Sequence, residues 1–171
     1  MKLVSYISPE GPTWGVQLGD KVVSRDSLGP DAPVSLQAVL DAGDQLSGWL
    51  AELPARAATC PSIPLEGLTL LPCIPRPAKV VCLGVNYIDH AKEGGNIFLR
   101  CATSLLAHRA PLQMPEVSDK LDFEAELAVV IGRRTRFVSE ADALDSVFGY
   151  ACFNDATLRD YQRKTTQWTI G

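Results

Sequence analysis

The sequence has little of what marks a secreted, membrane-spanning or nucleic-acid-binding chain. Its five cysteines, Cys60, Cys73, Cys82, Cys101 and Cys152, are odd in number and form no C-x-x-C pair. Neither a disulfide framework nor a zinc or dithiol motif follows from that spacing. The opening residues, Met1 to Tyr6, carry no signal-like apolar segment and read as a strand, so reduced thiols in a cytoplasmic protein are expected. Long apolar runs are also missing. Stretches such as Val80-Val81-Cys82-Leu83 fall far below the roughly 20 residues that cross a bilayer, so no membrane association is expected. Positive charge is scattered: sixteen Lys and Arg form no run longer than a pair, and the net charge is -4. That leaves no electrostatic footprint for nucleic acid. Internal repeats and low-complexity segments are absent.

What is present is an ordinary globular composition over 171 residues, enough for one good core or a core with a small module attached. Strand-like runs at 3–7, 14–18 and 21–24 alternate with turns, and Gly19-Asp20 between the last two is a hairpin signal. Ser35 is placed to cap a helix bearing Leu36, Val39 and Leu40 at helical spacing. A second helix is expected over 45–58, with Leu46, Trp49, Leu50 and Leu53 inward and an interruption at Pro54. Five prolines between Pro61 and Pro77 favour extended chain around a short strand at 68–71. This stretch divides the chain into a small α+β N-terminal module, 1–71, and a mainly β domain, 72–171.

The chemistry-bearing residues lie in the second part. A short buried strand over 79–84 runs into Val85 to Glu93, a helical turn that sets His90 and Glu93 three apart on one face. A carboxylate beside an imidazole raises its basicity and fixes its tautomer, so the two form either a base dyad or a surface pair of little weight. Residues 121–132 read as a buried central strand. Alternation along it puts Asp122, Glu124 and Glu126 on one side, away from Phe123, Ala125 and Leu127. Carboxylates so close repel unless a cation sits among them, and hard oxygens suit Mg²⁺, Mn²⁺ or Ca²⁺; a solvated edge-strand face is the other reading. Strands at 97–100 and 147–153, a capped helix start at Ser139, and a polar helix or loop over 157–167 complete the chain.

Taken together, Gly84-Val85-Asn86-Tyr87-Ile88-Asp89-His90-Ala91-Lys92-Glu93, Asp122-Phe123-Glu124-Ala125-Glu126-Leu127-Ala128-Val129-Val130-Ile131-Gly132, Gly149-Tyr150 and Asn154-Asp155-Ala156-Thr157-Leu158-Arg159-Asp160-Tyr161-Gln162 resemble the fumarylacetoacetate hydrolase family. The branch they resemble holds bacterial acylpyruvate hydrolases and 2-hydroxyhepta-2,4-diene-1,7-dioate isomerases. The resemblance covers 72–171 and implies the first half of a β-barrel or β-roll catalytic domain. It also implies a Mg²⁺ or Mn²⁺ ion, with Ca²⁺ as a substitute, on Glu124, Glu126 and Asp155. It assigns His90 and Glu93 to a catalytic dyad on a lid, Arg159 and Gln162 to the substrate's carboxylate and oxo groups, and Asp122 to a supporting role.

The implied activity is metal-dependent hydrolysis of a carbon-carbon bond in a 2,4-dioxo acid of aromatic-compound catabolism, by a homodimer. Its rivals are decarboxylation of a 2-oxo acid or isomerisation of a 2-hydroxymuconate-type acid at the same site, and a catalytically silent metal-binding protein. Two departures from the family pattern stand out. Only Gly94, Gly95 and Asn96 separate Glu93 from Ile97, a shorter lid than relatives carry, and relatives continue past the position of Gly171, so the chain reads as a fragment.

Overall fold

The computed structural model describes residues 1–86 and 95–171. It is mainly β with a few short helices, and its contacts divide it into two compact units. The first comprises Met1–Pro75, Leu106–Ala110 and Ala128–Ala151; the second comprises Arg76–Leu105, Pro111–Leu127 and Cys152–Gly171.

In the first unit, β1 (Lys2–Ser8), β2 (Gly11–Leu18) and β3 (Lys21–Ser24) form an antiparallel meander. Leu18 pairs with Lys21 across the two-residue turn, where Gly19 takes φ +63, a conformation that costs glycine nothing. Two short strands, β4 (Ile63–Pro64) and β5 (Thr69–Leu70), extend the sheet to the order β4-β3-β2-β1-β5. The proline-rich stretch thus remains extended and supplies both edges, where a missing N–H is tolerated.

Helix α1 (Leu36–Ala42) starts at Ser35, whose hydroxyl accepts from the Ala38 amide at 3.1 Å. Helix α2 (Ser47–Thr59) runs through Pro54, contrary to the interruption expected there. Leu53 and Ala57, one residue before and three after the proline, are fully buried. A proline inside a helix costs about 3 kcal/mol, and burial of a leucine side chain returns about 1.5–3 kcal/mol; tertiary packing carries the helix past the break. Trp14, Val16, Val23, Leu28, Leu36, Val39, Leu53 and Ala57 make the core, and Val130 and Phe148 pack against it. The Trp14 indole N–H donates to the Pro33 carbonyl at 2.7 Å, which satisfies its buried donor.

In the second unit, β6 (Val80–Gly84) pairs antiparallel with β7 (Asn96–Arg100). The register sets Val80 opposite Arg100 and Cys82 opposite Phe98, so these four share one face. Trp168 packs edge-on to Phe98 with ring centroids 5.6 Å apart. It also covers Gly84, where a Cβ would run into the indole.

Strand β6 is not the buried strand the sequence suggests: Val81 and Leu83 are 54% and 56% exposed. The run 121–132 is likewise not one buried strand. It divides into β8 (Leu121–Asp122) and β9 (Ala125–Ile131), and Leu127, Val129 and Ile131 are exposed. The period-two alternation is real, but Leu127, Val129 and Ile131 fall on the open face, while Glu126, Ala128 and Val130 are half-buried.

Strand β9 pairs with β10 (Val147–Asn154), and β8 pairs with β11 (Thr157–Leu158) ahead of the four-residue helix α3 (Arg159–Gln162). Ser139 caps a turn rather than a long helix: its hydroxyl bonds Asp142, and a 3-10 turn, Ala143–Ser146, follows. Among the described residues no helix is long and apolar enough to cross a membrane.

Candidate active site

The break between β8 and β9 shapes the site. Phe123 and Glu124 leave the ladder, and local hydrogen bonds replace strand pairing: the Phe123 amide donates to Asp122 Oδ1 at 3.0 Å and the Glu124 amide to Asn154 Oδ1 at 3.0 Å. The Asp155 amide in turn donates to the Glu124 carbonyl at 2.9 Å. Two carboxylates distant in sequence are thereby tied through their backbones. The pairing of Thr157 with Asp122 and Leu158 with Leu121 then carries α3 alongside, and the Arg159 amide donates to the Lys120 carbonyl at 3.0 Å.

Arg159 bridges the acidic residues. Its Nε meets Asp122 Oδ2 at 2.9 Å, and one terminal nitrogen meets Glu124 Oε1 at 2.8 Å and Gln162 Oε1 at 3.2 Å. The other terminal nitrogen has no partner among the described residues. A guanidinium clamped on two sides with donors to spare suits a planar carboxylate ligand.

Asp155 is 8% exposed and pairs with Arg100, whose Nε lies 2.7 Å from Asp155 Oδ1. Arg100 also donates to Thr157 Oγ1 at 3.0 Å and to the Gly171 carbonyl at 2.6 Å. Thr157 is fully buried and donates to the Asp155 carbonyl at 3.0 Å.

Cys82, half-buried on β6, reports where the charges converge. Burial pushes its thiol up from 9.0 to about 11; the negative charges of Asp155, Glu126 and Glu124 add to this, and the Arg100 guanidinium works against it. The carboxylates of Asp155, Glu126 and Glu124 thus all raise the Cys82 thiol in the same direction.

The structure thus brings Glu124, Asp155, Arg159 and Gln162 into one bonded set, with Glu126 half-buried nearby. Among the described residues no three His, Cys, Asp or Glu side chains stand close enough together to hold a metal ion as they are placed. Two of the carboxylates each give an oxygen to an arginine instead. The donor set itself, hard anionic oxygens held on a strand break and a strand end, fits a divalent cation of the Mg²⁺ and Mn²⁺ kind. His90 and Glu93 lie outside the described residues. Arg100 and Thr157 were not found from the sequence. The signal for Arg100 was its place two residues after Phe98 on an alternating strand, which puts a charge on the face shared with an aromatic ring.

These features define a carboxylate-rich, arginine-braced site on a mainly β scaffold. Residues 79–171 match the family described as fumarylacetoacetate (FAA) hydrolase C-terminal. The chain belongs to the fumarylacetoacetate hydrolase family. The human mitochondrial oxaloacetate tautomerase FAHD2A is 33% identical over 184 aligned residues, covering all of this chain and 58% of that protein. The maleylpyruvate hydrolase of a Sphingobium species, solved in complex with manganese(II) ion and pyruvate, superposes with a TM-score of 0.77 at 28% identity. That match covers 99% of this chain and 64% of the other. The 5-carboxymethyl-2-hydroxymuconate delta-isomerase of Mycobacterium smegmatis gives a TM-score of 0.72 at 29% identity, over all of this chain and 62% of the other. This chain thus spans well under two thirds of the length of the human relative.

Proposed function

We propose that the protein is a divalent-metal-dependent enzyme that binds a small 2-oxo acid and stabilises its enolate. The observation that carries this reading is Arg159, fixed between Asp122 and Glu124 with one terminal nitrogen unengaged among the described residues. That nitrogen would take the substrate carboxylate, and Gln162, already bonded to the same guanidinium, would face the oxo group. Glu124, Glu126 and Asp155 would hold Mg²⁺ or Mn²⁺, which supplies positive charge to the oxygens of the 2-oxo acid. His90 with Glu93 would move the proton at the carbon beside the carbonyl.

Keto–enol isomerisation needs no more than this proton transfer, and relatives that span the whole chain, the human and Xenopus laevis proteins among them, are named oxaloacetate tautomerases. A second reading is supported by the maleylpyruvate hydrolase likeness: the same site cleaving a carbon-carbon bond of a 2,4-dioxo acid of the acylpyruvate or fumarylpyruvate type. There His90 and Glu93 would deliver water to the distal carbonyl, and the enolate would leave as a 2-oxo acid. Decarboxylation would follow if the enolate formed by loss of CO₂.

A cytoplasmic homodimer belongs to the same proposal; all five cysteines are free thiols. Product analysis of the full-length protein with oxaloacetate and with acylpyruvates separates the outcomes, since isomerisation conserves mass, hydrolysis yields two acids and decarboxylation releases CO₂. Failure to turn over any of these acids with Mg²⁺ or Mn²⁺ would leave only a silent metal-binding protein.

A further inference from the structure

Arg100 lies outside every role assigned so far, yet it makes the most buried ion pair among the described residues. Its side chain and that of Asp155 are each 10% exposed, and Nε sits 2.7 Å from Asp155 Oδ1. The guanidinium is fixed at three further points. One terminal nitrogen bonds Thr157 Oγ1 at 3.0 Å, the other bonds the Gly171 carbonyl at 2.6 Å, and the group lies 5.3 Å from the centre of the Phe98 ring. Rotating Arg100 away would break these bonds together in a place water scarcely reaches.

Asp155 is equally constrained. Its amide is held by the Glu124 carbonyl, and its own carbonyl accepts from Thr157. These bonds fix the backbone of Asp155, and the 2.7 Å bond from Arg100 Nε holds its carboxylate by one oxygen. Oδ1 is committed to Arg100, while Oδ2 has no partner among the described residues.

We infer that Arg100 sets which divalent cation the acidic group accepts, by holding one oxygen of Asp155 and leaving the other as a single donor. The inference rests on the metal role given above to Glu124, Glu126 and Asp155. Its chemistry is that of coordination number. Ca²⁺ gathers about 6–8 oxygens and often takes both oxygens of a carboxylate, whereas Mg²⁺ demands a compact octahedron and takes one from each. A carboxylate locked to one donor suits the smaller ion. Arg100 makes no contact with substrate in this account; it is a positioning residue acting through Asp155.

The test is calorimetric titration of the full-length protein with MgCl₂, CaCl₂ and MnCl₂, compared with Arg100→Met and Arg100→Lys. In the unaltered protein Mg²⁺ should bind at least as tightly as Ca²⁺. Arg100→Met frees both Asp155 oxygens, and the affinity for Ca²⁺ relative to Mg²⁺ should rise about tenfold or more. Arg100→Lys keeps a cation on Oδ1 and should retain most of the original preference. A merely structural Arg100 would weaken all three ions together and leave the ratio unchanged, which overturns the inference. Where Arg100→Met does not fold, the unaltered protein decides: Ca²⁺ binding tenfold tighter than Mg²⁺ also overturns it. Absence of binding by any of the three ions would overturn the metal reading itself, an outcome distinct from an unchanged ratio.

Discussion

Arg159 and Asp122 are joined by a 2.9 Å bond from Nε to Oδ2, which ties the first residue of α3 to the last residue of β8. The bond spends the side of the guanidinium nearest the backbone, while one terminal nitrogen holds both Glu124 and Gln162. The sequence assigned Asp122 a supporting role beside the acidic motif; the structure gives that support a target, the arginine proposed to hold the substrate.

Arg159→Met should raise the KM for a 2-oxo acid. Hydrogen bonds to charged groups contribute about 1.5–3 kcal/mol, so the rise should be roughly tenfold to a hundredfold. Steady-state kinetics across a series of oxo acids checks this, and an unchanged KM would remove Arg159 from the carboxylate subsite. Asp122→Asn should raise KM by a smaller factor, because Arg159 keeps Glu124.

The thiol of Cys82 gives a pH signature. Its value is raised from 9.0 to about 11, chiefly by burial and then by the surrounding carboxylates. Between those values the folded protein binds more protons than the unfolded chain, so stability is fully present below about pH 9 and falls as pH rises toward 11. Alkylation of Cys82 should be slow at pH 8 and accelerate only near pH 11. If a divalent cation is held by Glu124, Glu126 and Asp155, adding it should move this onset to lower pH, because it offsets the negative charge acting on the thiol. An onset that does not respond to Mg²⁺ or Mn²⁺ would contradict that placement.

Packing and capping in the first unit can be weighed against each other by urea unfolding. Leu53 is fully buried in the core, so Leu53→Ala should cost about 2–5 kcal/mol. Ser35→Ala removes one capping bond at the start of α1 and should cost about 1 kcal/mol. A Ser35 effect as large as that of Leu53 would mean that α1 depends on its cap more than on Leu36 and Val39.

The elements that were legible in the sequence are those whose cause is local. Gly19 marked its hairpin and Ser35 its cap, and the strand expected over 147–153 is present. Local rules failed where distant contacts decide. Pro54 predicted a break that the burial of Leu53 and Ala57 overrides. The 121–132 pattern predicted one continuous strand, but the side chain of Asn154 and the amide of Asp155 capture the backbone of Glu124 and open it there.

The site divides in the same way. Glu124, Asp155, Arg159 and Gln162 were named from motif blocks and meet in the structure. Arg100 pairs with a residue 55 positions away, a relationship no local pattern carries.

The central claim is most directly tested by following the ultraviolet enol band of oxaloacetate and of a panel of acylpyruvates with the full-length protein. The reaction is run with Mg²⁺ or Mn²⁺, then with chelator, alongside Glu124→Ala. The account predicts an accelerated change of the band that needs both the metal and Glu124 and is abolished by either loss. A rate indifferent to chelator and to Glu124→Ala, or no acceleration on any of these acids, would contradict it.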